Sequence, residues 1–331
     1  MLFTTPVISN LRLAYPQAAI AYLANRRTAD LLKVIPEIAK VFIYERDEFV
    51  GNYPKYFELY NSIKQEAFDI VFDFSLNSSF GFLCAACGIK KRIGYDYRKR
   101  GRFLTDKVSL SGFEGKHIVE YYLDLLALLQ IPVKPLPMHM TVPAQDLDWA
   151  QDWLMKHRAT PAKPLIAVLP GGGASWGKAA GLKRWPAPKF AHLIDKIIEN
   201  FDADIILMGD PREEALCREV VNLAHFPLTF AVGKTSLLGM AALLKSCKAA
   251  IVNDGGPLHV AAAVGVKTVS IFGPVDPKVY GPYPMSGHSV VQKGLPCQPC
   301  YRRFRMARCG HISCLNDLSV EEVYRKVQHI L

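Results

Sequence analysis

Between Asn253 and His259 the chain reads Asn-Asp-Gly-Gly-Pro-Leu-His, which sets an acid, paired glycines and an imidazole within reach of one ligand. Gly255 and Gly256 let the backbone approach a bound group closely. Pro257 suits a helix start, where unused N–H groups attract phosphate. His259 in that first turn can give phosphate a hydrogen bond or a charge. Asp254 would orient sugar hydroxyls or stiffen the turn. A second cluster, Gly171-Gly172-Gly173 within Leu169–Ser175, can form an anion nest from successive N–H groups. Gly172 to Lys178 also fits P-loop spacing, but Ala179 stands where Ser or Thr would hold Mg²⁺, and Gly181 interrupts the helix that should follow. The plain alternative is a turn with no ligand. Lys183 follows this loop and, taken by itself, reads as an ordinary solvated lysine. Glu213 follows Met208-Gly209-Asp210-Pro211 and suits the N-terminus of a helix.

Alternating strand and helix must hold these loops. In the second half, apolar runs at Leu165–Leu169, Asp204–Met208, Leu228–Val232, Ala249–Val252 and Thr268–Phe272 read as strands. Helical patterns at Ala187–Asn200, Glu213–Leu223 and Ser236–Cys247 lie between them. Such units imply a parallel sheet covered on both faces. The first half reads as strands at Ala18–Tyr22, Lys40–Tyr44 and Asp69–Phe74, with helices at Pro6–Tyr15, Arg27–Ile35 and His117–Leu129. Lys90–Tyr95 is taken to precede a turn. Prolines at 132, 135, 137 and 143, and a second break at Ala159–Pro164, mark the domain boundary. The expected division is residues 1–145, a linker region 146–163, a second domain 164–318, and a C-terminal helix 319–331.

Eight cysteines include Cys297, Cys300, Cys309 and Cys314, with His311 inside the run. Four thiolates, or three with His311, would make a structural Zn²⁺ site; free thiols are the alternative. Cys84 and Cys87 sit in an apolar run and read as packing, as do Cys217 and Cys247. The net charge of +10 favours anionic partners. Arg98, Lys99, Arg100 and Arg102, and Tyr301–Arg305, mix cations with aromatics, but no nucleic-acid recognition motif accompanies them. No apolar run reaches the ~18 residues of a membrane span, and the opening residues lack a secretory leader, so a cytoplasmic protein is expected.

Asp254-Gly255-Gly256 with His259, and Phe272-Gly273-Pro274-Val275-Asp276-Pro277, resemble glycosyltransferase family 9, the ADP-heptose:lipopolysaccharide heptosyltransferases. The resemblance implies an α/β fold with two Rossmann-like, doubly wound domains facing a cleft, the GT-B architecture. It implies inverting transfer of heptose from ADP-heptose to the lipid-anchored, phosphorylated inner core, with no metal required for catalysis. The enzyme would contact the cytoplasmic face of the inner membrane peripherally and bind no nucleic acid. Lys183 matches the lysine on the donor diphosphate, Glu213 the glutamate on the adenosine ribose, and Thr235 the turn against the base; Gly171, Gly172, Gly173, Asp254, Gly255, Gly256 and His259 complete the donor set. A related nucleotide-sugar enzyme with another donor, or a noncatalytic donor-binding relative, is the alternative. In one respect the chain departs from the pattern. Family members open with a strand and a Gly-Asp turn whose aspartate is the proposed base, whereas Thr4-Thr5-Pro6 aligns with the helix that follows that turn. The expectation is that the strand and its aspartate are encoded upstream of Met1, about 15 residues being enough for them. Its rival is a real truncation, for which Asp73 is the candidate substitute base.

Overall fold

The computed structural model describes residues 1–331 apart from Ala159, Pro161, Ala174 and Ser175 and the side chain of Lys178. Part of the second proline-containing break and the end of the Gly171–Ser175 loop therefore lie outside the described residues. The chain divides into two compact units, residues 3–136 and 137–331.

The first unit has five strands: β1 (Ile20–Ala24), β2 (Ile38–Ile43), β3 (Ile70–Asp73), β4 (Lys91–Tyr97) and β5 (Asp106–Leu110). Every pairing is parallel. They form two sheets, β1-β2 and β3-β4-β5, that do not hydrogen-bond to one another. Leu23 of β1, Phe42 of β2 and Val71 of β3 nevertheless share one apolar cluster with Leu59 and Ile63. Those last two lie on the helix Tyr53–Gln65, which Asn52 caps by accepting from Lys55 N–H. Strands β4 and β5 were not expected. Lys91–Tyr97 interleaves charged residues and a glycine with its apolar ones, so its period is weak, and parallel pairing with β3 overrides local preference.

The second unit carries β6 (Leu165–Leu169), β7 (Asp204–Leu207), β8 (Thr229–Phe230), β9 (Ala249–Asn253), β10 (Lys267–Phe272) and β11 (Ser289–Gln292). All six join one parallel sheet in the order β11-β10-β9-β6-β7-β8. Every side chain of β6 and β9 is buried. The helices Ala187–Phe201, Glu214–Leu223 and Val320–Ile330 bury Phe190, Ile194, Cys217, Val323 and Val327 against Ile166, Val168 and Ile251. Each such fully buried large aliphatic or phenyl side chain is worth about 1.5–3 kcal/mol. The helix Val320–Ile330 is opened by a capping box of Ser319 and Glu322. β11 was not expected.

Residues 146–163 are not a linker. Ala144–His157 is a helix of the second unit, and the Trp149 ring packs so closely on Gly239 that a Cβ there would lie 3.0 Å away. Arg158 then pairs with Asp204 at 2.8 Å. The division falls instead between Leu136 and Pro137, inside the proline-rich run. Among the described residues no helix is long and apolar enough to cross a membrane.

Candidate donor site at a strand-order reversal

In the second unit the chain runs β6, β7, β8 toward one edge, then returns to build β9, β10, β11 toward the other. The reversal lies between β6 and β9. In open parallel sheets ligands bind at the carboxyl ends of strands beside such a point. Both glycine clusters leave the sheet there.

The two loops are fitted to one another at backbone distance. A Cβ on Gly255 would stand 1.6 Å from the Gly172 carbonyl oxygen, and one on Gly173 would stand 3.2 Å from Pro257. Gly172 and Gly173 have φ of 71° and 82°, the left-handed region that glycine enters without strain. The Asn253 side chain locks the arrangement: it donates to the Pro170 carbonyl at 2.5 Å and accepts from Trp185 N–H at 3.2 Å. Trp185 is fully buried and donates its indole N–H to the Leu318 carbonyl at 3.0 Å. Past Asp254 the helix Gly256–Ala263 begins with Pro257 in its first turn, and half-buried His259 is its fourth residue. The P-loop alternative fails on its second element, because Gly177–Lys183 is a 3₁₀ segment and not a long helix.

Lys183 ends that segment and is buried, not solvated. Its ammonium lies 2.8 Å from the Asp254 carboxylate, with side chains 9% and 5% exposed. The same ammonium sits 4.6 Å above the Trp176 ring. Burial pushes the Asp254 carboxyl above its ordinary pKa, and the Lys183 charge works against that rise. Asp254 thus meets a lysine rather than only stiffening its turn.

Glu213 stands at the helix start after β7, in a capping box with Asp210. It is 2% exposed. One oxygen accepts from Gly173 N–H at 2.8 Å and the other from Asp210 N–H at 3.0 Å. A Cβ on Gly171 would lie 1.9 Å from this carboxyl carbon. The side chain therefore staples the glycine loop to the turn after β7. Arg184, which the sequence did not single out, joins the staple by donating to the Gly171 carbonyl at 2.9 Å and standing 3.4 Å from Glu213. Its place beside Lys183 was the only signal. After β8, Gly233 N–H donates to the Gly209 carbonyl, and Ser236 caps the next helix through Gly239 N–H. Half-buried Thr235 lies between them. Donor-set residues from all four turns, those after β6, β7, β8 and β9, thus stand along one edge of the sheet.

Two Asp-x-Asp spacings lie elsewhere. Asp202 and Asp204 flank the start of β7, paired with Lys163 and Arg158, and Asp146 and Asp148 lie in the helix Ala144–His157. Among the described residues no three His, Cys, Asp or Glu side chains are placed to hold an ion, but the four cysteines of the run lie near enough that Cys300, Cys309 and Cys297 add to the rise that burial gives the Cys314 pKa. Cys300 turns its thiol onto the Cys297 carbonyl at 3.2 Å, while Cys314 is buried in the core. His311 Nδ1 faces the Ser313 hydroxyl at 2.9 Å. None of the eight cysteines is in a disulfide.

In the first unit Asp73 ends β3. One carboxylate oxygen accepts from Ser75 N–H at 2.8 Å and from its hydroxyl at 2.6 Å. Burial pushes its pKa up, opposed by those two bonds.

The profile of Glycosyltransferase family 9 (heptosyltransferase) matches residues 56–310. Lipooligosaccharide heptosyltransferase 2 of Campylobacter jejuni is 31% identical over 175 residues, 51% of this chain and 51% of that protein, so the chain aligns with about half the length of that relative. Lipooligosaccharide heptosyltransferase 2 of Haemophilus influenzae is 26% identical over 344 residues, covering 100% of this chain and 96% of that one. The solved structure of Escherichia coli ADP-heptose lps heptosyltransferase II superposes with a TM-score of 0.79 at 21% identity, over 100% of this chain and 94% of that one. That likeness establishes the fold, two Rossmann-like domains of the GT-B type.

Proposed function

This chain belongs to glycosyltransferase family 9, and we propose that it transfers a heptose from ADP-heptose to the lipopolysaccharide inner core, inverting the anomeric carbon. The observation that carries the reading is the buried Lys183–Asp254 pair beside two interlocked glycine loops at the strand-order reversal. The Asp254 carboxylate 2.8 Å away offsets the desolvation of the buried Lys183 side chain. Departing ADP gains negative charge as the sugar–phosphate bond breaks, and a preset ammonium with helix-start N–H groups stabilises that charge. His259 would add a donor to the same phosphates. Thr235 would lie toward the adenosine. Glu213 acts in this reading by holding the loop, with the ribose reached only through a rearrangement of its two N–H bonds.

The acceptor is a hydroxyl of a lipid-anchored, phosphorylated oligosaccharide, which attacks the anomeric carbon as ADP leaves. Its proton must pass to a base. The aspartate of a strand-end turn encoded upstream of Met1 is assigned to that task; in a chain that truly lacks that turn, Asp73, whose pKa burial raises, is the substitute. Such an acceptor places the enzyme at the cytoplasmic face of the inner membrane. No step of this chemistry calls on a metal. The test is product formation from ADP-heptose and a heptose-deficient core acceptor. Lys183→Ala should abolish transfer, and where Asp73 stands in as the base Asp73→Asn should lower kcat about 10²–10⁴-fold. ADP-heptose turnover unaffected by either change would reject the assignment.

A further inference from the structure

The first unit carries an exposed aromatic face next to a cationic loop that nothing in the fold neutralises. On the helix Tyr53–Gln65, Tyr53 is 82% and Phe57 63% exposed, and Tyr56 beside them is 39% exposed. Positions 53, 56 and 57 fall on one side of a helix. Rings continue the face across the sheet end. Tyr56 stands 6.2 Å from Tyr44, which stands 5.1 Å from Phe80. Phe80 is half-buried on the helix Ser78–Ala86; two residues on, on another side of that helix, Phe82 is 57% exposed and packs 5.2 Å from Phe103.

There the charges begin. The Arg102 guanidinium lies 4.7 Å over the Phe103 ring, and Arg98 and Arg100 lie 5.0 and 5.9 Å from the Tyr97 ring. Arg98, Lys99, Arg100 and Arg102 are all exposed, and none forms an ion pair among the described residues. The acid nearest in sequence, Asp96, is turned onto Gly101 N–H at 3.0 Å and Lys107 at 3.6 Å. Arg98 and Lys99 both adopt left-handed backbone, with φ of 53° and 60°. The turn thus keeps its charges outward at a conformational cost.

We propose that this strip is a docking surface for an anionic lipid bilayer, with the four cations at the phosphate level and Tyr53, Phe57 and Phe82 at the headgroup–acyl boundary. Tyrosine and phenylalanine beside unpaired arginine and lysine match the chemistry of that interface, where rings sit at headgroup depth and cations meet anionic lipid. The charge complementarity decides the occupant: a second copy of a chain with net charge +10 would bring like charges together. The proposal rests on the membrane-side reading above but not on the identity of the donor.

The test uses sedimentation of the full chain with vesicles of phosphatidylglycerol and phosphatidylethanolamine, against phosphatidylcholine alone. Binding should require the anionic lipid and fall as salt rises. Replacing Arg98, Lys99, Arg100 and Arg102 with serine should weaken binding at least about tenfold. Tyr53→Ser with Phe57→Ser should weaken the binding that persists at high salt. The rise in Tm with ADP, measured on the same variants, should be unchanged, which shows they are folded. Equal binding to phosphatidylcholine, binding unaltered in the charge variant, or a change in oligomeric mass caused by either variant would overturn the proposal. Loss of the ADP response in the unmodified chain would instead remove the donor reading and leave the vesicle result to be judged alone.

Discussion

The two units use the same parallel strand–helix logic and reach different ends. In the second, six strands share one sheet whose β6 and β9 expose no side chain, and the loops beyond them interlock at backbone contact. In the first, five strands stay in two sheets, and every side chain of β1 and β3 is only partly buried. Burial on both faces is thus concentrated under the glycine loops. Under the proposed reading, charge on a leaving group needs fixed donors, and these loops provide them. The first unit keeps unpaired strand edges and exposed rings.

The sharpest way to break that contrast is to unpair a charge in the rigid unit. Lys183→Ala leaves Asp254 buried without its cation and should cost about 3–5 kcal/mol. Denaturant unfolding reads this directly, and Lys183→Met with Asp254→Asn should recover most of the loss. A cost below about 1 kcal/mol would mean that the pair is open to water.

Next in size is a comparison of two glycines. Gly255→Ala drives a Cβ into the Gly172 carbonyl and should destabilise by about 3 kcal/mol or more, since neither partner is a side chain that can swing away. Gly81→Ala, inside a helix of the first unit and 3.4 Å from Phe103, should be neutral or stabilising by up to about 1 kcal/mol. Equal effects on Tm would erase the distinction between the units.

Amide exchange probes the same difference without mutation. Amides of β6 and β9 should exchange only through near-global opening, about a thousandfold more slowly than those of β1 and β3. Comparable protection in all four strands would contradict the split-sheet picture.

How much of this was legible in the sequence follows the same divide. β6 and β9 are uninterrupted apolar runs, and burial on both faces demands that composition. The glycines at 171 and 255 were readable because only glycine fits where a Cβ would meet a buried carboxyl or backbone, and those at 172 and 173 because they take left-handed φ. β4 and β5 were missed because half-buried strands tolerate Lys91, Arg92, Asp96, Asp106 and Lys107. The contacts of Glu213 were hidden for another reason: spacing puts it at the turn after β7, but only tertiary contact shows its oxygens bonded to Gly173 and Asp210. Arg184 and Trp176 owe their importance wholly to what folds against Lys183 and Gly171, which no local pattern reports.

Smaller effects sharpen the account of the second unit's periphery. Cys297 is exposed, while burial pushes Cys217 and Cys247 up to about 12 and Cys314 to about 11. A thiol reagent near pH 8 should therefore label Cys297 well before those three. Chelator should leave Tm unchanged. Stoichiometric zinc with a chelator-sensitive Tm would restore the four-thiolate site. The smallest shift concerns Glu322, drawn down to about 2 by the Ser319 hydroxyl and N–H and by Lys293. A carboxyl depressed by folding stabilises the protein above its unfolded pKa of about 4.3 and loses that contribution as pH falls toward 2. Glu322→Gln should thus lower Tm modestly at pH 7, and the gap from wild type should narrow between about pH 4.3 and 2.

The measurement that tests the central claim most directly is calorimetric titration of the full chain and of Lys183→Met/Asp254→Asn with ADP, UDP and GDP. The double substitution removes the buried pair while sparing the fold. The account predicts that ADP binds the unmodified chain in preference to UDP and GDP, and that the double variant loses about 1–3 kcal/mol of that affinity. Preferential binding of UDP or GDP, or ADP affinity unchanged in the double variant, would contradict it.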